Sequence, residues 1–177
     1  MERTEIRISG FGGQGIVLMG YIIGKAAAIY DNKNATLTQS YGPEARGGAC
    51  SAQVIVAAEK ISYPILVAPD ILITMSQAAY NTYRVGLKPN GILLYDNMLV
   101  KLTADETAKS FNIPAKNIAK DLGRQIIANM VMLGFLVKIT AVVSQQAMEQ
   151  AIAASVPPEF LDLNLEAFKR GLAYQQA

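Results

Sequence analysis

Residues 6–15 read IRISGFGGQG, and this stretch indicates how the chain begins to fold. Ile6 and Ile8 alternate with polar residues, which is typical of a strand. From Gln14 onward, apolar residues recur every three or four positions, which predicts a helix. The glycines between them therefore form a tight turn that joins a strand to a helix.

The glycine turn has the spacing of a nucleotide-binding pattern. Gly10, Gly12 and Gly15 satisfy G-x-G-x-x-G in the strand-to-helix context that the dinucleotide fingerprint requires. Glycine removes the Cβ atoms that would keep a phosphate away, and a helix N-terminus offers unpaired N–H groups. Between these positions, Gly13 is followed by Gln14, whose amide can donate to an anion or bridge to a neighbouring loop. We favour ligand approach; the alternative is that the glycines serve only close packing.

A nicotinamide dinucleotide fits this pattern less well. The fingerprint also requires an acid at the end of the second strand, where it holds the ribose hydroxyls. Gln39 and Ser40 occupy that place. Asp31 precedes the strand, so we expect it at the opposite end of the sheet.

A second segment, residues 39–48, reads QSYGPEARGG and carries charged groups between turn-forming residues. Arg46 can make a bidentate contact to phosphate or carboxylate, and Glu44 can hold it or answer a basic group on a partner. Tyr41 adds a flat surface that can stack or donate a hydrogen bond. The alternative is an exposed turn with an internal Glu44–Arg46 ion pair, which contributes little energy. Spacing alone leaves the two interpretations open.

The rest of the chain predicts an α/β fold with a mainly parallel sheet flanked by helices and a helical C-terminal third. We expect one domain over residues 1–177. Further strands are predicted at 35–39, 49–57, 70–74 and 91–96, and a helix from Ser76 to about Val85. Thr103, Ser144 and Asp162 are the candidate caps of the later helices, and Pro157-Pro158 divides the last two.

Composition excludes several classes of function. The 177 residues contain 16 Lys and Arg against 14 acids, without a basic run, so nucleic acid is not indicated. There is no histidine and a single cysteine, Cys50, so the chain cannot assemble a Ser-His-Asp site, an iron–sulfur cluster or a thiolate zinc site. We predict Cys50 to be a buried side chain without a catalytic role and expect no metal site.

Two observations bear on location and association. The charged start of the sequence argues against a signal peptide, so we expect a cytoplasmic protein. Residues 126–137 are the most apolar stretch and fall short of the roughly 20 residues that a membrane span needs. This stretch is apolar all round a helix, which predicts burial in the core or against another chain, including a homodimer of the isolated chain.

Three motifs in this order resemble the gamma subunit of 2-oxoacid:ferredoxin oxidoreductases. They are residues 10–15 (GFGGQG), residues 40–48 (SYGPEARGG) and residues 129–134 (NMVMLG). The C-terminal stretch 164–171 (NLEAFKRG) is also similar, so the resemblance covers the whole chain. Among these enzymes the chain looks most like the subunit of the 2-oxoglutarate enzyme.

This resemblance implies a subunit of a complex that decarboxylates a 2-oxoacid oxidatively and forms an acyl-CoA. Thiamine diphosphate, magnesium and iron–sulfur clusters would lie on alpha, beta and, where present, delta subunits, with ferredoxin or another acceptor receiving the electrons. The family fold is Rossmann-like, and coenzyme A is the candidate ligand of this subunit. The resemblance implies no catalytic residue here and no activity of the subunit alone. The implied site residues are Gly12, Gly13, Gln14, Gly15, Tyr41, Glu44, Arg46 and Gly47.

Three classes of function therefore compete at this point. An oxidoreductase subunit predicts co-purification with larger subunits. A free-standing dinucleotide- or CoA-binding protein predicts tight binding of a nucleotide by the chain alone. A structural assembly module, whose glycine turn only packs subunits, predicts no dependence on a ligand.

Overall fold

The computed structural model describes residues 3–41 and 49–176. Within these residues the chain forms one six-stranded sheet with the order β2-β3-β1-β4-β5-β6. The strands are β1 (Arg3–Phe11), β2 (Asn34–Tyr41), β3 (Ala49–Ala57), β4 (Ile71–Thr74), β5 (Ile92–Asp96) and β6 (Lys109–Ile113). The helices are α1 (Ile16–Lys25), α2 (Gln77–Tyr83), α3 (Ala115–Asp121), α4 (Ala128–Thr140), α5 (Gln145–Ala153) and α6 (Leu161–Ala173).

The central strand β1 is the point at which the sheet changes direction. It pairs in parallel with β4, and β4, β5 and β6 continue the parallel part. On its other side β1 pairs antiparallel with β3, which pairs antiparallel with β2. Three of these five pairings are parallel, so the predicted α/β fold with a mainly parallel sheet is confirmed, and the β2–β3 hairpin is its antiparallel part.

The two faces of the sheet are covered unequally. The first face, which carries Ile6 and Ile8 of β1, packs against the helical side of the molecule and forms the main apolar core. On the second face Leu72 and Leu93 pack with Tyr80 of α2 in a smaller cluster. The first face therefore contributes most of the apolar burial that stabilises the fold. The second face is thinly covered, by the smaller cluster.

Helix α4 is buried along its first ten residues, Ala128 to Val137. Its apolar side chains are buried within this chain, because the sheet core lies on one side of the helix and α6 on another. The predicted burial of this stretch is confirmed, although Ile126, just before the helix, is 65% exposed. None of the helices in the described ranges combines the length and apolar character that crossing a membrane demands.

Helices α4 and α6 approach each other through glycine. A Cβ atom built on Gly134 would lie 2.7 Å from the backbone nitrogen of Leu172, and one on Gly171 would lie 2.8 Å from the carbonyl carbon of Val131. Both separations are well inside van der Waals contact. The two helix backbones can meet only because these positions lack side chains.

The helical C-terminal third begins later than the sequence predicts. Residues 109–113 form β6, an edge strand of five residues whose first four are not fully buried, so their apolar alternation is weak. Thr103 was predicted to cap a helix, and this is wrong: it lies in a loop and its hydroxyl is 3.0 Å from that of Tyr80. Asp162 lies in the first turn of α6, whose N-cap position is Phe160.

Two other predicted boundaries are confirmed. The Ser76 hydroxyl accepts a hydrogen bond from the Ala79 N–H at the start of α2, and the Ser144 hydroxyl accepts one from the Ala147 N–H at the start of α5. A 3₁₀ turn, Pro158–Phe160, separates α5 from α6. A serine cap is a local signal, and at these two helix starts the sequence alone located it.

The close crossing of α4 and α6 predicts a large effect of one methyl group. Gly134→Ala should lower the free energy of unfolding by about 1–3 kcal/mol or more, because the added Cβ meets backbone that cannot move aside. Gly24→Ala is the matched control: Gly24 lies in α1 with open space around it, so the control should gain about 0.5–1 kcal/mol. Urea unfolding of both variants measures this, and equal stabilities would contradict the packing argument.

Candidate functional site

The four glycines of the turn divide into two pairs. A Cβ atom on Gly10 would lie 2.8 Å from Cδ1 of Ile16, and one on Gly15 would lie 3.1 Å from Cγ of Asn129. None of the residues in 3–41 and 49–176 lies within 4 Å of a Cβ atom built on Gly12 or on Gly13. The first pair is therefore needed for packing, and the second pair leaves open backbone at the surface.

Backbone conformation adds a second requirement at this turn. Gly13 has φ +91° and Gly15, the N-cap of α1, has φ +73°. L-residues with a side chain rarely adopt these angles. The turn can therefore keep this shape only with glycine at both positions.

The side chain of Gln14 bridges two strands at this edge. Its Oε1 accepts a hydrogen bond from the Phe11 N–H (2.6 Å), and its Nε2 donates to the Met75 carbonyl (2.7 Å). The Met75 N–H in turn donates to the Ser9 carbonyl of β1 (2.8 Å). Of the two roles that the sequence left open for this amide, the structure shows the bridge to a neighbouring loop.

A cleft of about 350 Å³ opens beside the bridge, outside the carboxyl ends of β1, β4 and β5. Its walls come from the glycine turn, the residues that follow β4 and β5, and the starts of α3 and α4; they include Gly13, Gln14, Met75, Leu99, Lys116 and Ile126. Open α/β sheets bind ligands in this position. Lys116 is the cationic side chain among the lining residues, so the cleft suits an anionic group beside an apolar one.

Asp96 lies behind the cleft and supports two of the segments that line it. Its side chain is completely buried at the end of β5 and accepts hydrogen bonds from the Met98 N–H (2.9 Å) and the Lys116 N–H (2.8 Å). Burial raises the pKa of the carboxyl above its usual value, and the two N–H donors oppose that shift. Asp96 thereby holds the turn after β5 against the start of α3, the two segments that carry Leu99 and Lys116.

The second sequence motif is only partly described. Glu44, Arg46 and Gly47 lie outside the described residues, and Tyr41 is described as the last residue of β2. The strand ends that flank the motif lie at the edge of the glycine turn, since Ala49 pairs with Phe11 and Tyr41 pairs with Cys50, which also pairs with Gly10.

The sequence predicted that Asp31 does not hold a ribose and that Cys50 is buried without a catalytic role. Asp31 accepts hydrogen bonds from the Ser144 N–H (2.7 Å) and hydroxyl (2.6 Å), so its carboxylate is engaged in holding the start of α5. Cys50 faces the main core and is 8% exposed, and burial raises the pKa of its thiol. A buried thiol with a raised pKa is a poor nucleophile, as the sequence predicted.

Of the described residues that line the cleft, sequence reasoning named Gly13 and Gln14 and missed the other six, among them Met75 and Lys116; it also missed Asp96, which lies behind the lining. Met75 and Lys116 carry no local signal because their place depends on where β4 and α3 end in space. Asp96 had one, since a carboxylate that closes a buried strand lies at the edge where ligands bind.

The raised pKa of Asp96 predicts a pH dependence of stability. An acid with a raised pKa in the folded state holds its proton longer than in the unfolded chain, so its contribution falls as pH rises from about 4 and then levels off. The stability advantage of the wild type over Asp96→Asn should therefore shrink over that range. Urea unfolding of both proteins at stepped pH measures it, and an advantage that grows with pH would contradict the assignment.

Comparison with known proteins identifies the family of this chain. Residues 5–174 match the family described as pyruvate ferredoxin/flavodoxin oxidoreductase. The 2-oxoglutarate synthase subunit KorC of Methanocaldococcus jannaschii is 48% identical over 172 residues, which are 96% of this chain and 92% of that protein.

Solved structures agree with the sequence comparison. The gamma subunit of a keto/oxoacid ferredoxin oxidoreductase from Geobacter sulfurreducens has a TM-score of 0.88 and 41% identity, over 97% of this chain and 95% of that one. The 2-oxoglutarate:ferredoxin oxidoreductase of Magnetococcus marinus, solved with 2-oxoglutarate, coenzyme A and succinyl-CoA bound, has a TM-score of 0.87 and 26% identity, over 98% of this chain and 31% of that one. The chain therefore belongs to the pyruvate ferredoxin/flavodoxin oxidoreductase family, as a gamma-type subunit of a 2-oxoacid:ferredoxin oxidoreductase.

Proposed function

We propose that the chain is the gamma subunit of a 2-oxoglutarate:ferredoxin oxidoreductase and that its glycine turn and cleft hold part of coenzyme A. The choice of 2-oxoglutarate is supported by the name of the M. jannaschii relative, which matches along nearly its whole length. The choice of coenzyme A is supported by the M. marinus enzyme, which contains it.

The observation that carries the ligand proposal is that no described residue lies within 4 Å of a Cβ atom built on Gly12 or Gly13. A phosphate can approach the backbone only where no Cβ atom stands in its way. The N-terminus of α1 follows at once and supplies N–H groups and positive dipole potential. Lys116, which lines the same cleft, adds a positive charge. These groups fit the phosphates of coenzyme A, and the apolar lining from Met75 and Leu99 fits its uncharged parts.

The sequence motif at residues 40–48 is part of the same proposal. We include Tyr41, Glu44, Arg46 and Gly47 in the coenzyme A site because the flanking strand ends lie beside the glycine turn. Arg46 would supply a bidentate contact to a phosphate. Gln14 acts differently: its amide is engaged with Phe11 and Met75, so it shapes the turn instead of donating to the ligand.

The proposed chemistry divides between the subunits. Coenzyme A supplies the thiol that accepts the acyl group, while thiamine diphosphate, magnesium and iron–sulfur clusters belong to the alpha, beta and delta subunits. The residues of this chain bind and orient the cofactor at its phosphate end. In this proposal the chain is inactive alone, and electrons reach ferredoxin through the other subunits.

The subunit assignment predicts a substrate preference. The native complex isolated through this chain should reduce an acceptor dye with coenzyme A and 2-oxoglutarate at least about tenfold more efficiently, in kcat/KM, than with pyruvate, because a matched side-chain pocket contributes about 1–3 kcal/mol. Mass spectrometry of the same preparation should find the thiamine-binding and iron–sulfur subunits. A preference for another 2-oxoacid would overturn the substrate, and a chain without partners would overturn the subunit assignment.

The ligand assignment predicts a selective effect of a side chain at Gly12. Gly12→Leu should leave the unfolding temperature nearly unchanged, since no described residue lies near its Cβ. It should raise the KM for coenzyme A at least about tenfold by blocking phosphate approach, a loss of about 1.4 kcal/mol. Gly24→Leu is the control, because it also has open space but lies away from the cleft. An unchanged KM in both variants would show that coenzyme A binds elsewhere.

A further inference from the structure

Arg7 is a half-buried cation in the middle of the sheet that forms no ion pair with any described residue. It lies on β1 between Gln53 of β3 and Leu72 of β4, and its guanidinium stacks over the ring of Tyr83 at 5.0 Å. Its Nε is buried and has no hydrogen-bond partner among the residues that the structure describes. Within residues 3–41 and 49–176, no carboxylate lies within ion-pair distance of it.

Arg84 is the informative comparison because it also stacks on a tyrosine of α2, although it is less buried than Arg7. Its guanidinium stands over the ring of Tyr80 at 5.8 Å, and its Nη2 is 3.2 Å from Oδ2 of Asp105. Thus two arginines stack on tyrosines of the same helix, α2, and among the described residues only Arg84 has an acid as its partner. Arg124 also has no acid within the described residues, but it is exposed to water.

Partial burial makes the missing partner costly. A charged group taken out of water loses hydration that must be replaced by an opposite charge or by hydrogen bonds. Burial lowers the pKa of Arg7, and the group that opposes this shift is Tyr83. The cation–π contact returns about 0.5–2 kcal/mol of that cost. A carboxylate supplied by another molecule would therefore stabilise the Arg7 guanidinium.

The surface around Arg7 has the composition of a protein contact. Val85, two residues after Tyr83, is 81% exposed, and a Cβ atom on Gly86 would lie 3.8 Å from Nη1 of Arg7. An arginine and an aromatic ring beside exposed apolar surface are typical of interface hot spots. We call Arg7, Tyr83 and Val85 the Arg7 patch.

We propose that the Arg7 patch, on the thinly covered face of the sheet, is a docking surface for another subunit of the oxidoreductase, which places an aspartate or glutamate carboxylate against the Arg7 guanidinium. This inference is supported by the chain's membership of a multisubunit enzyme. It does not depend on the coenzyme A proposal. A second copy of this chain is a poorer occupant, because a two-fold axis through the patch would oppose two cations.

The test compares Arg7→Met with Arg84→Met in the co-expressed complex. Methionine keeps the apolar stem against the tyrosine ring and removes the charge. Arg7→Met should raise the dissociation constant of this subunit from the rest of the complex at least about tenfold, because the partner carboxylate would be left unpaired. Arg84→Met removes a charge that is already paired within the chain and should change the dissociation constant less than about twofold.

Stability of the full chain by itself separates docking from a structural role. Arg7→Met should unfold at the same temperature as the wild type or a higher one, because it removes an uncompensated buried charge. Weaker assembly together with a matching loss of stability would overturn the proposal, as would unchanged assembly. A change in the oligomeric state of the isolated chain would overturn it in favour of a second copy.

Charge reversal identifies the partner group. Arg7→Glu should dissociate the subunit more strongly than Arg7→Met, and one Asp→Lys or Glu→Lys substitution on another subunit should restore assembly. Failure of every acidic position on the other subunits to restore it would overturn the carboxylate assignment. Coenzyme A affinity of the assembled variant provides a separate readout, which the docking proposal expects to stay unchanged.

Discussion

The carboxamide of Gln14 is the constraint on which the functional edge of the molecule depends. One side chain accepts from the N–H at the end of β1 and donates to the carbonyl after β4, so it holds the glycine turn against the neighbouring strand. Glycine-rich turns are otherwise free to adopt many conformations. With both amide atoms engaged, the turn has one shape, and the start of α1 and the wall of the cleft follow from it.

One glycine pattern combines two physical requirements. Gly10 and Gly15 are glycine because neighbouring side chains occupy the space of a Cβ atom, while no described residue lies near a Cβ atom built on Gly12 or Gly13. The close-packing and ligand-approach interpretations of such a motif are therefore not exclusive. The same principle operates without any ligand at Gly134 and Gly171, where glycine allows two helix backbones to meet.

Sequence predicts this fold well where the signals are local. The strands from β1 to β5, the serine caps of α2 and α5, and the burial of α4 all come from periodicity or from adjacent residues. The edge strand β6 was missed because its residues are half exposed and its pairing is with a distant segment. Lys116 and Asp96 meet at the cleft only through the end-to-end arrangement of β5 and α3, which no spacing in the sequence encodes. The motif residues Glu44 and Arg46 were named from pattern and resemblance, and their position remains a proposal.

The burial of Cys50 has a practical consequence for labelling. It is the single thiol of the chain, it is 8% exposed, and burial disfavours its thiolate. Maleimide reagents need an accessible thiolate, so the native chain should react with them very slowly. A cysteine introduced at a chosen surface position would then carry one fluorophore per subunit, and its distance to a label elsewhere would report how the subunit sits in the assembly.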